Sequence, residues 1–154
     1  MKFLLIFFFL LSYTFSFGQL EEFKLTQYDS LQKEHSKSSI VFIHTDWCKY
    51  CKQLKNTTLQ DSNIQKKMKE FGYYFDLNAE EKNSISINNV EFYYKPTGNN
   101  TGSHELAEEL GSIDGKLEYP TLVFLNEKHE IIHQIVGFIT VKEFTETINR
   151  IAKN

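Results

Sequence analysis

Apolar and polar positions along the chain alternate between β-type runs and helical spacing. An unbroken apolar run at residues 40–43 is typical of a strand buried on both faces of a sheet. The aromatic run at residues 73–77 and the apolar run at residues 121–125 predict two more strands. After a turn at residues 126–129, residues 130–136 predict an antiparallel partner strand. We therefore expect a sheet of about four main strands.

Helical patterns separate these strands. Residues 26–35 form a short amphipathic pattern, and residues 48–59 are expected to form a longer helix. Asp61 is a favoured helix-capping residue, and apolar positions repeat at helical spacing from there to Gly72. Thr-Val-Lys-Glu at residues 140–143 is a capping box, which predicts a C-terminal helix. The alternation predicts an α/β fold, a central mixed sheet with helices on both sides.

The composition is that of one folded domain with a weak net charge. Charged residues make up 24% of the 154-residue chain and hydrophobic residues 41%, which is ordinary for a globular protein. The formal net charge is -3, and no basic cluster is longer than Lys66-Lys67. These values argue against a nucleic-acid-binding protein and against attachment to a charged membrane surface.

The first eighteen residues have the pattern of a signal peptide. Lys2 supplies the positive charge, residues 3–11 are almost wholly apolar, and Ser16 and Gly18 are small residues where a signal peptidase cuts. An uncleaved membrane anchor is the alternative, but the apolar stretch of about fifteen residues is shorter than the ~20 needed to span a bilayer. We expect cleavage after Gly18, no stable membrane span afterwards, and a periplasmic or secreted domain at residues 19–154.

The candidate chemistry lies in the only two cysteines of the chain, Cys48 and Cys51. The first cysteine follows the predicted central strand and should lie at the N-cap of the next helix, where free N–H groups and the helix dipole favour an anion. A thiolate held there has a lowered pKa and is a nucleophile. The second cysteine, one turn further along, is close enough to form a disulfide. The spacing predicts a dithiol–disulfide exchange site.

Other uses of two cysteines have less support in the sequence. A zinc site needs about four ligands, and the five histidines are scattered along the chain. A c-type haem attachment needs a histidine directly after Cys51, where Lys52 stands. An inert disulfide stays open as an alternative, although the lysines at 49 and 52 indicate an exposed, electropositive setting.

The chain resembles the thioredoxin superfamily over about residues 38–152. The evidence is the Asp-Trp-Cys-Lys-Tyr-Cys-Lys motif at residues 46–52, the Tyr-Pro-Thr segment at residues 119–121, and Val136-Gly137 after the last strand. The resemblance implies a thioredoxin-like fold, a cis-proline that packs against the cysteine pair, and no cofactor beyond a redox-active disulfide. It also implies partners with protein thiols or disulfides and an upstream redox partner protein. The residues implied are the catalytic Cys48 and Cys51, with Trp47, Lys49, Tyr50, Tyr119, Pro120 and Thr121 in supporting and substrate-binding roles.

The sequence departs from the thioredoxin pattern near the central strand. Thioredoxins proper have a buried Asp that assists proton transfer to the second cysteine, and this chain has Phe42 there. Asp76 and Glu118 are candidates to replace that acid. His44 could face the dithiol and exchange protons with it, but we favour a histidine that is hydrogen-bonded beside the sheet.

A second departure is an insertion at about residues 79–118, before the expected cis-proline. Residues 84–87 and 90–94 are β-type runs about an Asn-Asn turn, which predicts a hairpin. Residues 95–103 are interpreted as a loop, with Ser103 capping a helix at 104–110. The hairpin could form a lip over the site whose aromatics touch a substrate, but we favour aromatics that pack the hairpin onto the domain. These aromatics are Phe92, Tyr93 and Tyr94.

The function expected from these features is thiol:disulfide exchange with partner proteins. The similarity to exported thioredoxin-like reductases favours the reducing direction. The alternative is a binding module without turnover that holds a client peptide or copper, because soft thiolates select Cu(I). In that case Cys48, Cys51 and His44 would be the ligands; otherwise no metal site is expected.

Overall fold

The computed structural model describes residues 20–152, so the signal peptide expected at residues 1–18 lies outside the described part. Helices and strands alternate through most of this range, and two 3-10 turns, Leu25–Gln27 and Thr58–Gln60, connect neighbouring elements. In chain order the elements are β1 (Glu22–Lys24), α1 (Tyr28–Glu34), β2 (Ser39–His44), α2 (Lys49–Asn56), α3 (Ser62–Phe71), β3 (Tyr73–Asn78), β4 (Ile85–Ile87), β5 (Val90–Phe92), β6 (Tyr94–Gly98), β7 (Thr101–His104), α4 (Glu105–Gly111), β8 (Thr121–Leu125), β9 (Ile131–Val136) and α5 (Val141–Ile151).

The central sheet has five strands in the order β1-β3-β2-β8-β9. Strand β3 is parallel to both β1 and β2, while β8 is antiparallel to both β2 and β9. This mixed sheet confirms the predicted α/β class and the four expected strands. The fifth strand, β1, was not predicted because only three residues pair and two of them are exposed.

Alternate residues of the buried strands point to opposite faces of the sheet, where two hydrophobic cores form. Ile40 and Phe42 of β2 pack towards α2, α3 and α5, together with Phe124 of β8. Val41 and Ile43 face the other side, which α1 and α4 cover. The sheet is therefore flanked by helices on both faces, as the sequence predicts.

Local signals set the helix ends. Asp61 accepts hydrogen bonds from the N–H groups of Asn63 and Ile64 and begins α3. At its end, a Cβ on Gly72 would lie 1.8 Å from the Ser38 carbonyl oxygen, so only glycine fits. The predicted capping box also forms at the start of α5. These capping predictions are confirmed, whereas α2 is shorter than predicted and ends at Asn56.

The insertion forms two small hairpins rather than one. The β4–β5 hairpin is as predicted, with Asn88 and Asn89 in left-handed conformations that a tight turn requires. The interpretation of residues 95–103 as a loop was wrong, because β6 and β7 pair there; Pro96 is tolerated in a two-stranded sheet with open edges. Helix α4 is capped by His104, not by Ser103 as expected. Within residues 20–152, no helix is long and apolar enough to cross a membrane.

Candidate active site

The two cysteines lie where the central strand β2 passes into helix α2. Cys48 is the N-cap residue, and its N–H donates to the Thr45 carbonyl oxygen at 3.2 Å. The Cys51 N–H in turn donates to Cys48 Sγ at 3.1 Å, so the first sulfur accepts one of the free N–H groups of the helix start. The sequence prediction that Cys48 lies at the helix N-cap is confirmed.

Cys48 and Cys51 form a disulfide with an S–S distance of 2.09 Å and a Cα–Cα distance of 5.2 Å. Both residues are buried, with 5% and 2% of their surface exposed, and both belong to the core on the α2 side of the sheet. The second sulfur is therefore within bonding reach of the first, as the spacing predicts. Leu54 of α2 and Phe42 of β2 belong to the same core as the cysteine pair.

Exposed aromatic side chains flank the buried disulfide. Trp47, directly before Cys48, and Tyr50, between the cysteines, are each 64% exposed. The edge of the Trp47 ring meets the Tyr119 ring with centroids 5.9 Å apart. Trp47 Nε1 also donates to Glu80 Oε1 at 3.2 Å, which connects it to the first residues of the insertion. Lys49 is exposed on the first turn of α2.

The Tyr119–Pro120 segment precedes β8 and contains a cis peptide bond. The Pro120 carbonyl oxygen accepts the Gly137 N–H at 2.8 Å, and Thr121 Oγ1 donates to the Glu118 carbonyl oxygen at 2.7 Å. Burial, with nearby carboxylates adding to its effect, raises the pKa of Tyr119. The Trp47–Tyr119 contact thus brings together two segments that are far apart in the sequence.

A charged cluster lies on the sheet beside the first turns of α2. His44 Nε2 donates to Asp76 Oδ1 at 2.8 Å, and Lys55 Nζ donates to Asp76 Oδ2 at 2.8 Å. Lys55 also pairs with Glu22 of β1 at 3.0 Å. The Phe42 ring stacks on the His44 ring, with centroids 5.2 Å apart. The favoured prediction for His44, a hydrogen-bonded residue beside the sheet, is confirmed.

The cluster changes the acidity of its members in opposite directions. Burial alone would raise the pKa of Asp76, but the hydrogen bonds from His44 and Lys55 outweigh it and lower that pKa. For Lys55, burial would lower the pKa, and the hydrogen bonds to Asp76 and Glu22 raise it. Both groups therefore keep their charges at neutral pH. The other candidate acid, Glu118, instead pairs with Lys116 at 2.6 Å in an exposed position.

Several residues of this region were not singled out in the sequence. Lys55 of α2 meets both Asp76 of β3 and Glu22 of β1 because these two strands are neighbours in the sheet, and no local pattern indicates those contacts. Glu80 begins the insertion and reaches Trp47. The alternation of buried and exposed residues could have placed Asp76 near Phe42 if the strand register had been known, since the two are register partners.

The three insertion aromatics behave differently from one another. Phe92 packs against the core on the α1 and α4 side, as the favoured prediction has it. Tyr93 is half exposed, and its hydroxyl donates to the Glu91 carboxylate at 2.5 Å. The ammonium of Lys82 lies 3.2 Å above the centre of the Tyr94 ring. Only one of the three therefore anchors the hairpin in the core.

In the described part of the chain, no group of three or more His, Cys, Asp and Glu residues is arranged to hold a metal ion. Cys48, Cys51 and His44, the ligands considered for copper, do not form such a group. His44 instead directs Nε2 to Asp76.

A family model for the thioredoxin-like domain matches residues 26–152, so the chain belongs to that family. It is 25% identical over 143 residues to the thiol:disulfide interchange protein DsbD of Pasteurella multocida (strain Pm70). That alignment covers 89% of this chain but 21% of the relative, so the chain spans about a fifth of the relative's length.

Solved structures share the fold at low sequence identity. A thioredoxin from Thermus thermophilus aligns with a TM-score of 0.62 and 17% identity, covering 88% of both chains. The DsbH oxidoreductase aligns with a TM-score of 0.59 and 15% identity, covering 93% of this chain and 92% of the other. The protein is thus a thioredoxin-like α/β domain with a Cys-Lys-Tyr-Cys disulfide, an arrangement consistent with thiol:disulfide exchange.

Proposed function

We propose that this protein is a thiol:disulfide oxidoreductase that exchanges disulfides with partner proteins through Cys48 and Cys51. The observation that carries the proposal is the disulfide at the start of α2, where Cys48 Sγ accepts the Cys51 N–H. A helix N-terminus stabilises an anion, so reduction leaves a sulfur at the N-cap that is suited to be a thiolate. The relative named as a thiol:disulfide interchange protein supports the same chemistry.

The reaction takes place in two exchange steps. The Cys48 thiolate attacks a disulfide of the partner, and a bond forms between Cys48 Sγ and one partner sulfur while the other partner sulfur leaves with the electron pair. Cys51, as thiolate, then attacks Cys48 Sγ and displaces the first partner sulfur. The partner gains two electrons and two protons as dithiol, and the protein ends with the Cys48–Cys51 disulfide.

The partner is expected to bind across the exposed aromatic surface beside the disulfide. Trp47 and Tyr50 offer flat, exposed rings, a residue type that is enriched at protein interfaces. We propose that the backbone of Tyr119 pairs with an extended segment of the partner, with Pro120 and Thr121 fixing the position of that segment. Lys49 adds a positive charge on the same helical turn.

We also propose that the protein works in the reducing direction outside the cytoplasm. The pattern of residues 1–18 supports export, with residues 19–154 as the mature thioredoxin-like domain and the insertion at about 79–118 within it. The mass of the protein recovered from cell fractions tests this: an N-terminus at residue 19 in a non-cytoplasmic fraction is expected. Full-length protein in the cytoplasm would contradict it.

Reduction of insulin disulfides in the presence of dithiothreitol tests the activity. We expect the wild-type protein to accelerate insulin precipitation and Cys48→Ser to abolish that acceleration, because the attacking sulfur is gone. In a separate incubation, Cys51→Ala that has been reduced and then freed of dithiothreitol should form a stable mixed disulfide with insulin, which gel electrophoresis without reductant detects. If the wild-type protein did not accelerate insulin precipitation but bound Cu(I) tightly, the result would contradict the enzyme and favour the copper-binding module.

A further inference from the structure

Cys51 and His44 line the same small cavity. It has a volume of about 120 Å³ and lies between the end of β2 and the first turns of α2. A water molecule occupies about 30 Å³ in the liquid, so the space is large enough for one. After reduction, the Cys51 thiol and the His44 imidazole therefore border a space in which one water molecule can connect them.

Thr45 gives an independent sign that this cavity is a polar site. Its side chain is 1% exposed and lines the cavity, and its Oγ1 has no hydrogen-bond partner among residues 20–152. Buried hydroxyl groups are nearly always hydrogen-bonded to protein or to ordered water. A water molecule in the cavity would satisfy this hydroxyl and would be held in place by it.

The hydrogen bond to Asp76 fixes which ring nitrogen of His44 can act as an acceptor. Asp76 accepts the hydrogen bond from Nε2, which leaves Nδ1 as the nitrogen that can accept a proton. Lys55 also pairs with Asp76, and with Glu22. The remaining titratable groups near the cluster are Asp46 and Lys52, which line the cavity, and Tyr74, which is buried beside Asp76.

We propose that His44 accepts the proton of Cys51 through this water when Cys51 resolves a mixed disulfide, an inference that rests on the function proposed above. The thiol proton passes through the water to Nδ1, and the Cys51 thiolate attacks Cys48 Sγ. The Cys48–Cys51 bond forms, the bond from Cys48 to the partner breaks, and the partner sulfur leaves with the electron pair. The partner thiolate takes a proton from solvent, and the imidazolium releases one. His44 thus replaces the buried acid of thioredoxins, whose position Phe42 occupies.

Stopped-flow reaction of the reduced protein with a limiting amount of dithiobis(nitrobenzoate) separates the two sulfurs. Attack by Cys48 releases the first coloured thiol in a concentration-dependent phase, and attack by Cys51 releases the second in a concentration-independent phase. In His44→Gln we expect the second phase to slow on the order of 100-fold near pH 7, the usual size of a lost general base. The difference should fade above pH ~8.5, where thiols ionise without assistance. The first phase should keep the wild-type rate.

Two further variants make the test specific. His133→Gln is the matched control, because His133 also packs its ring on a core phenylalanine, Phe124, but lies on β9; both phases should be unchanged. Thr45→Val keeps the side-chain shape and leaves the His44–Asp76 pair intact, so it tests the water even if His44→Gln does not fold. We expect it to slow only the second phase.

Three results would contradict proton transfer from Cys51 to His44 through the water. The first is equal slowing of both phases in His44→Gln, and the second is a slowing of its second phase by the same factor at every pH. The third is a second phase in Thr45→Val that is as fast as in the wild type. Failure of the proposed function has a different signature, since the wild-type protein would then leave insulin precipitation unaccelerated, whatever the two phases show.

Discussion

Replacing Asp76 by Asn tests whether the charged cluster stabilises the fold as its geometry indicates. Asp76 accepts two charge-assisted hydrogen bonds, from His44 and Lys55, and only 21% of its side chain is exposed. Asn has the same shape but one acceptor oxygen and no charge. The substitution therefore removes one of the two bonds and leaves the other without its charge.

The expected loss follows from these contacts. A hydrogen bond to a charged group contributes about 1.5–3 kcal/mol to stability. Lys55 retains Glu22 as a partner and is more than one third exposed, which reduces its share through solvent screening. We therefore expect Asp76→Asn to lower the free energy of unfolding by about 1–2 kcal/mol at pH 7. Urea denaturation followed by circular dichroism, on the oxidised protein, measures it.

The pH dependence gives the sharper test. The pKa of Asp76 is lower in the folded protein than its ordinary value of 3.8, so below about pH 4 the unfolded chain binds more protons than the folded one. The contribution of this carboxylate is therefore fully present above that pH and is lost as the pH falls through the folded pKa. The difference in free energy of unfolding between wild type and Asp76→Asn should therefore become smaller as the pH is lowered.

Glu118→Gln is the matched control, because Glu118 has one exposed ion pair with Lys116. Exposed pairs contribute about 0–1 kcal/mol, so its loss should be small at every pH. Two results would contradict a stabilising role of Asp76. One is an Asp76→Asn protein as stable as wild type at pH 7, and the other is a difference in free energy of unfolding between the two proteins that stays constant from neutral to acid pH.

Three other substitutions or measurements test separate parts of the structure. Trp47→Ala should raise the KM for insulin about tenfold, which is the scale of a lost interface anchor. Tyr93→Ala, which also truncates an exposed aromatic side chain, should leave the KM unchanged. Equal effects of the two substitutions would contradict a role of Trp47 in binding the substrate. Alkylation of reduced Cys48 should reach half of its maximal rate below pH ~8.5, the midpoint of an ordinary thiol, and a midpoint at that value would contradict stabilisation by the helix. Gly72→Ala should lower the urea midpoint more than a surface substitution does, because its Cβ would meet the Ser38 carbonyl oxygen; an unchanged midpoint would show that this contact relaxes freely.

The parts of the fold that were predicted correctly depend on neighbours in the sequence. Asp61 caps α3 through N–H groups two and three residues away, and the turn at Asn88-Asn89 needs only its own backbone angles. The misassigned segment, β6–β7, has a proline and glycines that usually indicate a loop. The two strands pair through contacts between residues of β6 and β7, and these contacts outweigh the local preferences of proline and glycine.

The candidate site divides in the same way. Cys48 and Cys51 are separated by two residues on one helix start, so the strand–cysteine–helix pattern was sufficient to predict their disulfide. The sequence alone therefore determined the redox pair and the α/β class. The tertiary structure decided which charged groups meet on the sheet: the parallel register of β2 and β3 and the position of α2 bring His44, Asp76 and Lys55 together. Those contacts join residues 21 and 32 positions apart, and only the packed sheet determines which charges meet.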